Sequence, residues 1–232
     1  MKRSFKEKAA YAFIKSVPVM CGYIFLGIAF GIVLKEAGYG IFTAVCMSTF
    51  IYAGSAQFVM VPLMAGGASV VTVAVTILFV NFRHVFYGLS FVDAFSKMKE
   101  KPYMIFALTD ETYSVLCGCR NEDMDASHRD SWFMIALFNQ LYWVAGSVIG
   151  VALGNIIPAD LTGIDFSMTA LFVVILLEQI LKSPGKAGLI AGISMCISVI
   201  CLFIFGTTNF LLPALLLTVL ASAFMAGKEK AE

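Results

Sequence analysis

The chain has 232 residues, of which 60% are hydrophobic and only 13% charged, and its net charge is +1. Soluble globular domains carry about 25% charged residues. A mean hydropathy of +0.89 therefore excludes an ordinary soluble domain, and the balanced charge gives no basic surface for nucleic acid. The composition fits an all-α, polytopic helical membrane protein with room for about six to eight crossings of ~20 residues each. No stretch is long and polar enough for a soluble unit, so 1–232 reads as a single transmembrane domain.

In chain order, the first apolar segment, 14–35, follows Lys2, Arg3, Lys6, Lys8 and Lys15. A basic start before an apolar run is also the pattern of a signal peptide. Here the run is of full span length and lacks a small-residue cleavage pattern, so it reads as a membrane helix. Its Gly27 and Gly31 have the spacing of close helix packing, as do Gly146, Gly150 and Gly154 further on.

Segment 41–65 carries a small polar island, Gly54, Ser55, Ala56 and Gln57, with Pro62 behind it. Irregular backbone at membrane depth survives only where it is buried in protein or lines a watery cavity. The island therefore predicts a broken or re-entrant segment, the alternative being a kinked helix whose small residues serve packing.

Segment 69–96 contains Asn81, Arg83 and His84. At 100° per residue, Thr72, Thr76, Arg83, Tyr87 and Ser90 share one face, while Asn81, His84 and Gly88 lie nearly opposite. A lipid-facing helix cannot hide both sets. Either this helix is central in the bundle or it unwinds near Asn81–Arg83. Segment 103–118 is short for a span and holds Asp110 and Glu111 at its centre, with Ala107, Ser114 and Cys117 on the stripe of Asp110.

The remaining apolar segments are 132–156, 167–181, 187–206 and 209–226. Asn139, Gln140, Tyr142 and Trp143 are candidates to line a cavity, although Trp132 and Trp143 also suit interface anchors. Glu178 and Lys182 have the spacing of an i, i+4 pair. The six cysteines lie in or beside apolar runs and read as buried packing thiols; none has metal-ligand spacing.

Lysine and arginine set the orientation. Both termini, Arg120, Arg129, Lys182 and Lys186 belong in the cytoplasm, and the acidic 155–165 loop, with Asp160 and Asp165, fits the outside. Eight full crossings would put Lys97, Lys99 and Lys101 outside. Six crossings, with 41–65 and 103–118 each entering and leaving on one side, remove that conflict.

A charged residue at mid-helix opposes insertion by about 2.5–3.5 kcal/mol, against about 0.3–0.6 kcal/mol gained per large apolar residue. Arg83, Asp110 and Glu111 therefore mark a pathway, a relay or a buried ion pair. A carboxyl held away from water resists ionisation and can carry a proton, which makes Asp110, Glu111 and His84 the candidates for proton coupling. An embedded hydrolase using the same three groups is disfavoured, because neither H-E-x-x-H nor G-x-S-x-G is present. A channel or passive assembly subunit remains open.

Four motifs, GIAFGIVLKEAG (27–38), YAGSAQFV (52–59), NFRHVFYGLS (81–90) and LTDETYSV (108–115), resemble the AzlC family, the large subunits of bacterial branched-chain amino acid exporters. The resemblance implies export of small hydrophobic amino acids across the bacterial cytoplasmic membrane, no enzymatic activity, and a small AzlD-like membrane partner. The expected substrate-binding residues rest on the physical argument. Arg83 and the backbone around Gly54, Ser55 and Gln57 would receive the carboxylate. Asp110 or Glu111 would receive the ammonium, with Asn81 nearby. No cofactor or metal is expected.

Overall fold

The computed structural model describes residues 5–96, 98–122, 129–156 and 184–210, with 166, 170, 173, 176–177, 180–181, 213–214 and 216–221. The side chains of Arg83, Phe86, residues 121–122, 129–130 and 207–209, Pro184, Lys186 and Ala187 are outside that description. So are the N-terminal Lys2 and Arg3, Lys97, the 155–165 loop beyond Ile156, the Glu178–Lys182 pair, and Lys228 and Lys230.

Every described element is helical. They run α1 (Phe5–Glu36), α2 (Ile41–Cys46) continuing as a π-helix (Met47–Ile51), α3 (Gly54–Ala65), α4 (Val70–Val80), α5 (Arg83–Ser96), α6 (Lys101–Phe106), α7 (Asp110–Glu122), α8 (Arg129–Gly154) and α9 (Pro184–Asn209). Phe5–Glu36, Ser131–Gly154 and Gly188–Gly206 are long and apolar enough to cross a bilayer. The helices between α1 and α8 are shorter. At 1.5 Å per residue, one of 11–14 residues reaches about 16–21 Å, short of the ~30 Å hydrocarbon core.

The side-chain distribution inverts that of a soluble protein. Ser16, Ser48, Gln57, Thr76, Thr112, Ser131, Asn139 and Ser147 are buried completely, while Phe25, Phe42 and Phe203 are more than two-thirds exposed. A polar interior under an apolar surface is stable only when the surrounding medium is itself apolar. Phe30, Phe58, Phe91, Phe95, Leu116 and Ile135 fill the space between the polar groups. The cysteines follow no single rule: Cys119 and Cys201 are buried, and Cys21 and Cys196 are exposed on that apolar surface.

The two glycine stripes of the sequence pack on each other and seat α1 against α8. A Cβ on Gly27 would stand 3.0 Å from the Gly146 Cα, and one on Gly146 would stand 2.9 Å from the Ile24 carbonyl oxygen. At Gly31 and Gly150 an added Cβ would overlap the facing backbone. Only glycine permits this approach, in which dispersion between backbones takes the place of a hydrophobic driving force that lipid does not supply. The seam places Tyr23 and Trp143, from facing helices, with ring centroids 5.3 Å apart. That pair forms one wall of the site.

Candidate functional site

Three of the sequence's apolar segments are interrupted, each at its polar cluster. The first break is at Tyr52–Ala53. The π-helix ends at Tyr52, whose backbone is left-handed (φ 42°, ψ 49°), and Ala53 is extended before α3 begins at Gly54. Gly54–Gln57 is thus the first turn of a helix, and the break lies just ahead of it. Loosened carbonyls near such a break need partners. Gln140 Nε2 donates to the Thr49 carbonyl at 3.0 Å, and Tyr103 holds Gln140 with a 2.7 Å bond to Oε1.

The second break, at Asn81–Phe82, settles the conflict of faces in segment 69–96 by unwinding. Asn81 (φ −89°, ψ 0°) ends α4, and Arg83 opens α5. The Asn81 carbonyl accepts from the His84 amide at 2.9 Å and lies 3.1 Å from His84 Nδ1. The third break spans 107–109, between α6 and α7. Segment 103–118 is therefore not one helix, and Ala107 does not share a helical stripe with Asp110 and Ser114. Asp110 and Glu111 lie in the first turn of α7 rather than at mid-helix. Carboxylates are stabilised there by the amide ends of the helix, typically by 0.3–1 kcal/mol, which lowers the insertion cost of placing them deep in the fold.

The first and third breaks, with His84 from just beyond the second, face a common cavity. Tyr23 and Leu26 of α1, Tyr52, Ala53, Gly54 and Ser55 at the first break, His84 of α5, Thr109, Asp110 and Glu111 at the third, and Trp143 of α8 line it. About 30 Å³ is open to the centres of water molecules. A single water needs about 10–15 Å³ on that measure, so the site has room for about two or three waters and is too small for an amino acid.

The two helix starts facing the cavity differ in electrostatics. Thr109 caps α7, its Oγ1 accepting from the Thr112 amide at 3.3 Å. Tyr23 donates to Glu111 Oε2 at 2.8 Å and shares a 2.6 Å bond with Thr109 Oγ1. Asn139 Nδ2 donates to Thr112 Oγ1 at 3.0 Å. This end is capped, acidic and anchored to α1 and α8. At the other, no side chain caps α3, and its first turn contains no acid. Gly54 fits closely there, since a Cβ would stand 3.0 Å from Trp143 Cη2 and would push on that ring. Trp143 is held in place by its 2.8 Å bond to Gln57 Oε1, and Gln57 in turn by Ser48, at 3.4 Å.

Of the residues expected to bind substrate or carry a proton, Gly54, Ser55, His84, Asp110 and Glu111 meet at the cavity. Gln57 does not. It is completely buried behind Trp143 and acts as a clamp. Asn81 also stands outside the lining, at the second break. Trp132 and Trp143 are 4% and 3% exposed, so neither is an interface anchor. Trp143, a candidate to line a cavity, does line it, whereas Tyr23, Leu26, Tyr52 and Thr109 were not anticipated there. Aromatic and aliphatic residues inside apolar segments look alike whether they pack or line a site. Only the left-handed Tyr52 next to Ala53-Gly54 breaks a local rule, and that is visible only in the backbone.

The AzlC protein family profile matches residues 18–157. An uncharacterised membrane protein of Helicobacter pylori (strain 26695) is 39% identical over 220 residues, covering 94% of this chain and 93% of its own. The branched-chain amino acid transport protein AzlC of Bacillus subtilis is 37% identical over 208 residues (88% and 80%), and the inner membrane protein YgaZ of Escherichia coli is 29% identical over 196 (78% and 79%). No solved structure matches the chain. The matched stretch contains all three helix breaks and every residue of the cavity, and the chain belongs to the AzlC family of helical membrane proteins.

Proposed function

We propose that this protein exports branched-chain or similar small hydrophobic amino acids across the bacterial cytoplasmic membrane, coupled to protons, together with a small AzlD-like subunit. One observation carries the reading: a cavity between broken helices has an uncapped, acid-free helix start on one side, a capped acidic one on the other, and Leu26, Ala53 and Trp143 as apolar wall. A zwitterion with an aliphatic side chain needs this combination. Its carboxylate is suited to the amides at the start of α3, its ammonium to Asp110 and Glu111.

The cavity as it stands is too small for an amino acid, and an alternating cycle would widen it toward one side and then the other. Discontinuous helices supply the joints about which such a site opens to either side. A neutral zwitterion gains nothing from the membrane potential, whereas a co-moved proton gains about 2.3 kcal/mol per 100 mV. Asp110, Glu111 and His84 are the groups at the site able to carry it. Both termini and Lys99 are cytoplasmic in this reading.

The relative named for branched-chain amino acid transport supports the substrate class. The test is L-leucine efflux from proteoliposomes, with and without the small subunit and with and without a pH gradient. Efflux that rises with the gradient is expected. Conductance without substrate coupling would favour a channel.

A further inference from the structure

A second cavity lies further along α1 and α3, lined by Val33, Glu36 and Ala37 of α1 and by Phe58, Val61 and Pro62 of α3. About 330 Å³ is open in it, on the measure that gives about 30 Å³ for the first. That volume is within the ~300–1,000 Å³ usual for small-molecule sites. Along α1, positions step by three or four from Tyr23 and Leu26 in the first cavity, through Phe30, to Val33 and Ala37 in the second. Such steps keep to one face of a helix. The same stepping along α3 runs from Gly54 through Phe58 to Val61. Both helices therefore leave the first cavity in the same direction. From Leu26 to Glu36 is a rise of about 15 Å at 1.5 Å per residue.

Aromatic rings fill the interval. Phe30 stacks on Trp143 of the first cavity, with ring centroids 6.1 Å apart, and meets Phe58 of the second edge-on at 5.7 Å. Phe30 and Phe58 are both buried. Ring contacts thus run without interruption from the wall of one space to the wall of the other.

The second cavity has its own polarity. Its walls are apolar except for Glu36, in the last turn of α1. The carbonyl end of a helix favours a cation, as a carboxylate does. Lys35 of the same turn lies with its stem against Gly154 of α8. An aliphatic body with one positive end fits this space, whereas a bare acyl chain makes no use of Glu36.

We propose that this cavity is a second amino acid site, on the outer part of the export route. The walls take the aliphatic side chain, Glu36 takes the ammonium, and the Phe30 layer parts the site from the central cavity. The proposal rests on the transport reading and adds a station to it. With the start of α1 on the cytoplasmic side, the second cavity is the one nearer the outside.

The test uses Ala65→Cys, since Ala65 also lines the second cavity and is exposed at the end of α3. Proteoliposomes holding this variant and the small subunit are treated with N-ethylmaleimide. Modification at position 65 is followed by mass spectrometry, and leucine efflux is measured in the same vesicles. By mass action, L-leucine at about ten times its Kd should slow the modification about tenfold. 4-Methylpentanoate, which lacks the ammonium, should slow it far less. Adding Glu36→Gln should remove most of the protection by leucine and leave the rate without leucine unchanged. Unslowed modification in vesicles that export leucine overturns the second site and leaves the transport reading standing. Equal protection by 4-methylpentanoate, or full protection after Glu36→Gln, also overturns it, because the ammonium is then not held at Glu36. Vesicles that neither export leucine nor show protection sink the transport reading, and this inference with it.

Discussion

The breaks before α3 and before α7 are built from opposite materials. The first has a glycine, no capping side chain, no acid, and a strained tyrosine. The second has a threonine cap, two acids and bonds to α1 and α8. Both present a helix start to the same cavity. Had both been acidic or both open, the site would suit a single charge. Their difference gives the cavity a polarity, and a zwitterion is the simplest small molecule that matches it.

The largest expected effect comes from closing the open end. Gly54→Leu drives a side chain into Trp143, and efflux should fall to background while the protein still inserts in the membrane, measured by transport and by membrane-fraction abundance. Full activity would make the Gly54 turn mere packing.

Neutralising the acidic end should act more selectively. If Asp110 or Glu111 carries the proton, Asp110→Asn or Glu111→Gln abolishes efflux driven by a pH gradient and spares some leucine exchange, which needs no proton release. Wild-type pH dependence in both variants would remove the proton role. If an acid serves only to neutralise Arg83, its single variant should lose several kcal/mol of stability through an unpaired charge. Arg83→Gln combined with Asp110→Asn should then restore folding and much of the activity.

A smaller effect is expected behind the open end. Trp143→Phe keeps an aromatic ring but withdraws the indole edge from Gly54 and leaves Gln57 Oε1 without its donor. It should lower stability by about 1–3 kcal/mol, read as an earlier unfolding midpoint. No change would mean that the clamp is idle. The smallest belongs to the acidic end. Tyr23→Phe removes one of the bonds holding Glu111 and should cost about 1 kcal/mol with a modest rise in the leucine concentration for half-maximal efflux.

The sequence made the breaks legible because polar and charged residues are expensive in lipid. Asn81–Arg83, Asp110–Glu111 and Gly54–Gln57 each stand out against apolar surroundings, and each lies within about one helical turn of an interruption. The glycine stripes were equally legible as packing surfaces, though not as partners of each other. Gln57 misled because burial and solvation ask for the same residue type: an amide in an apolar segment suits a clamp as well as a ligand site. The stripe through Ala107 failed because periodicity assumes a continuous helix. Tyr23 and Tyr52 were hidden by their chemistry, since an aromatic ring costs lipid nothing wherever it points.

The most direct test of this polarity is competition against radiolabelled L-leucine in proteoliposomes, by leucine methyl ester, which lacks the carboxylate charge, and by 4-methylpentanoate, which lacks the ammonium. Wild type should prefer leucine to both. With Asp110→Asn and Glu111→Gln combined, the preference over 4-methylpentanoate should collapse while the preference over the ester survives. If that double variant still discriminates against 4-methylpentanoate as wild type does, the ammonium is not held at the start of α7, and the two-ended site is wrong.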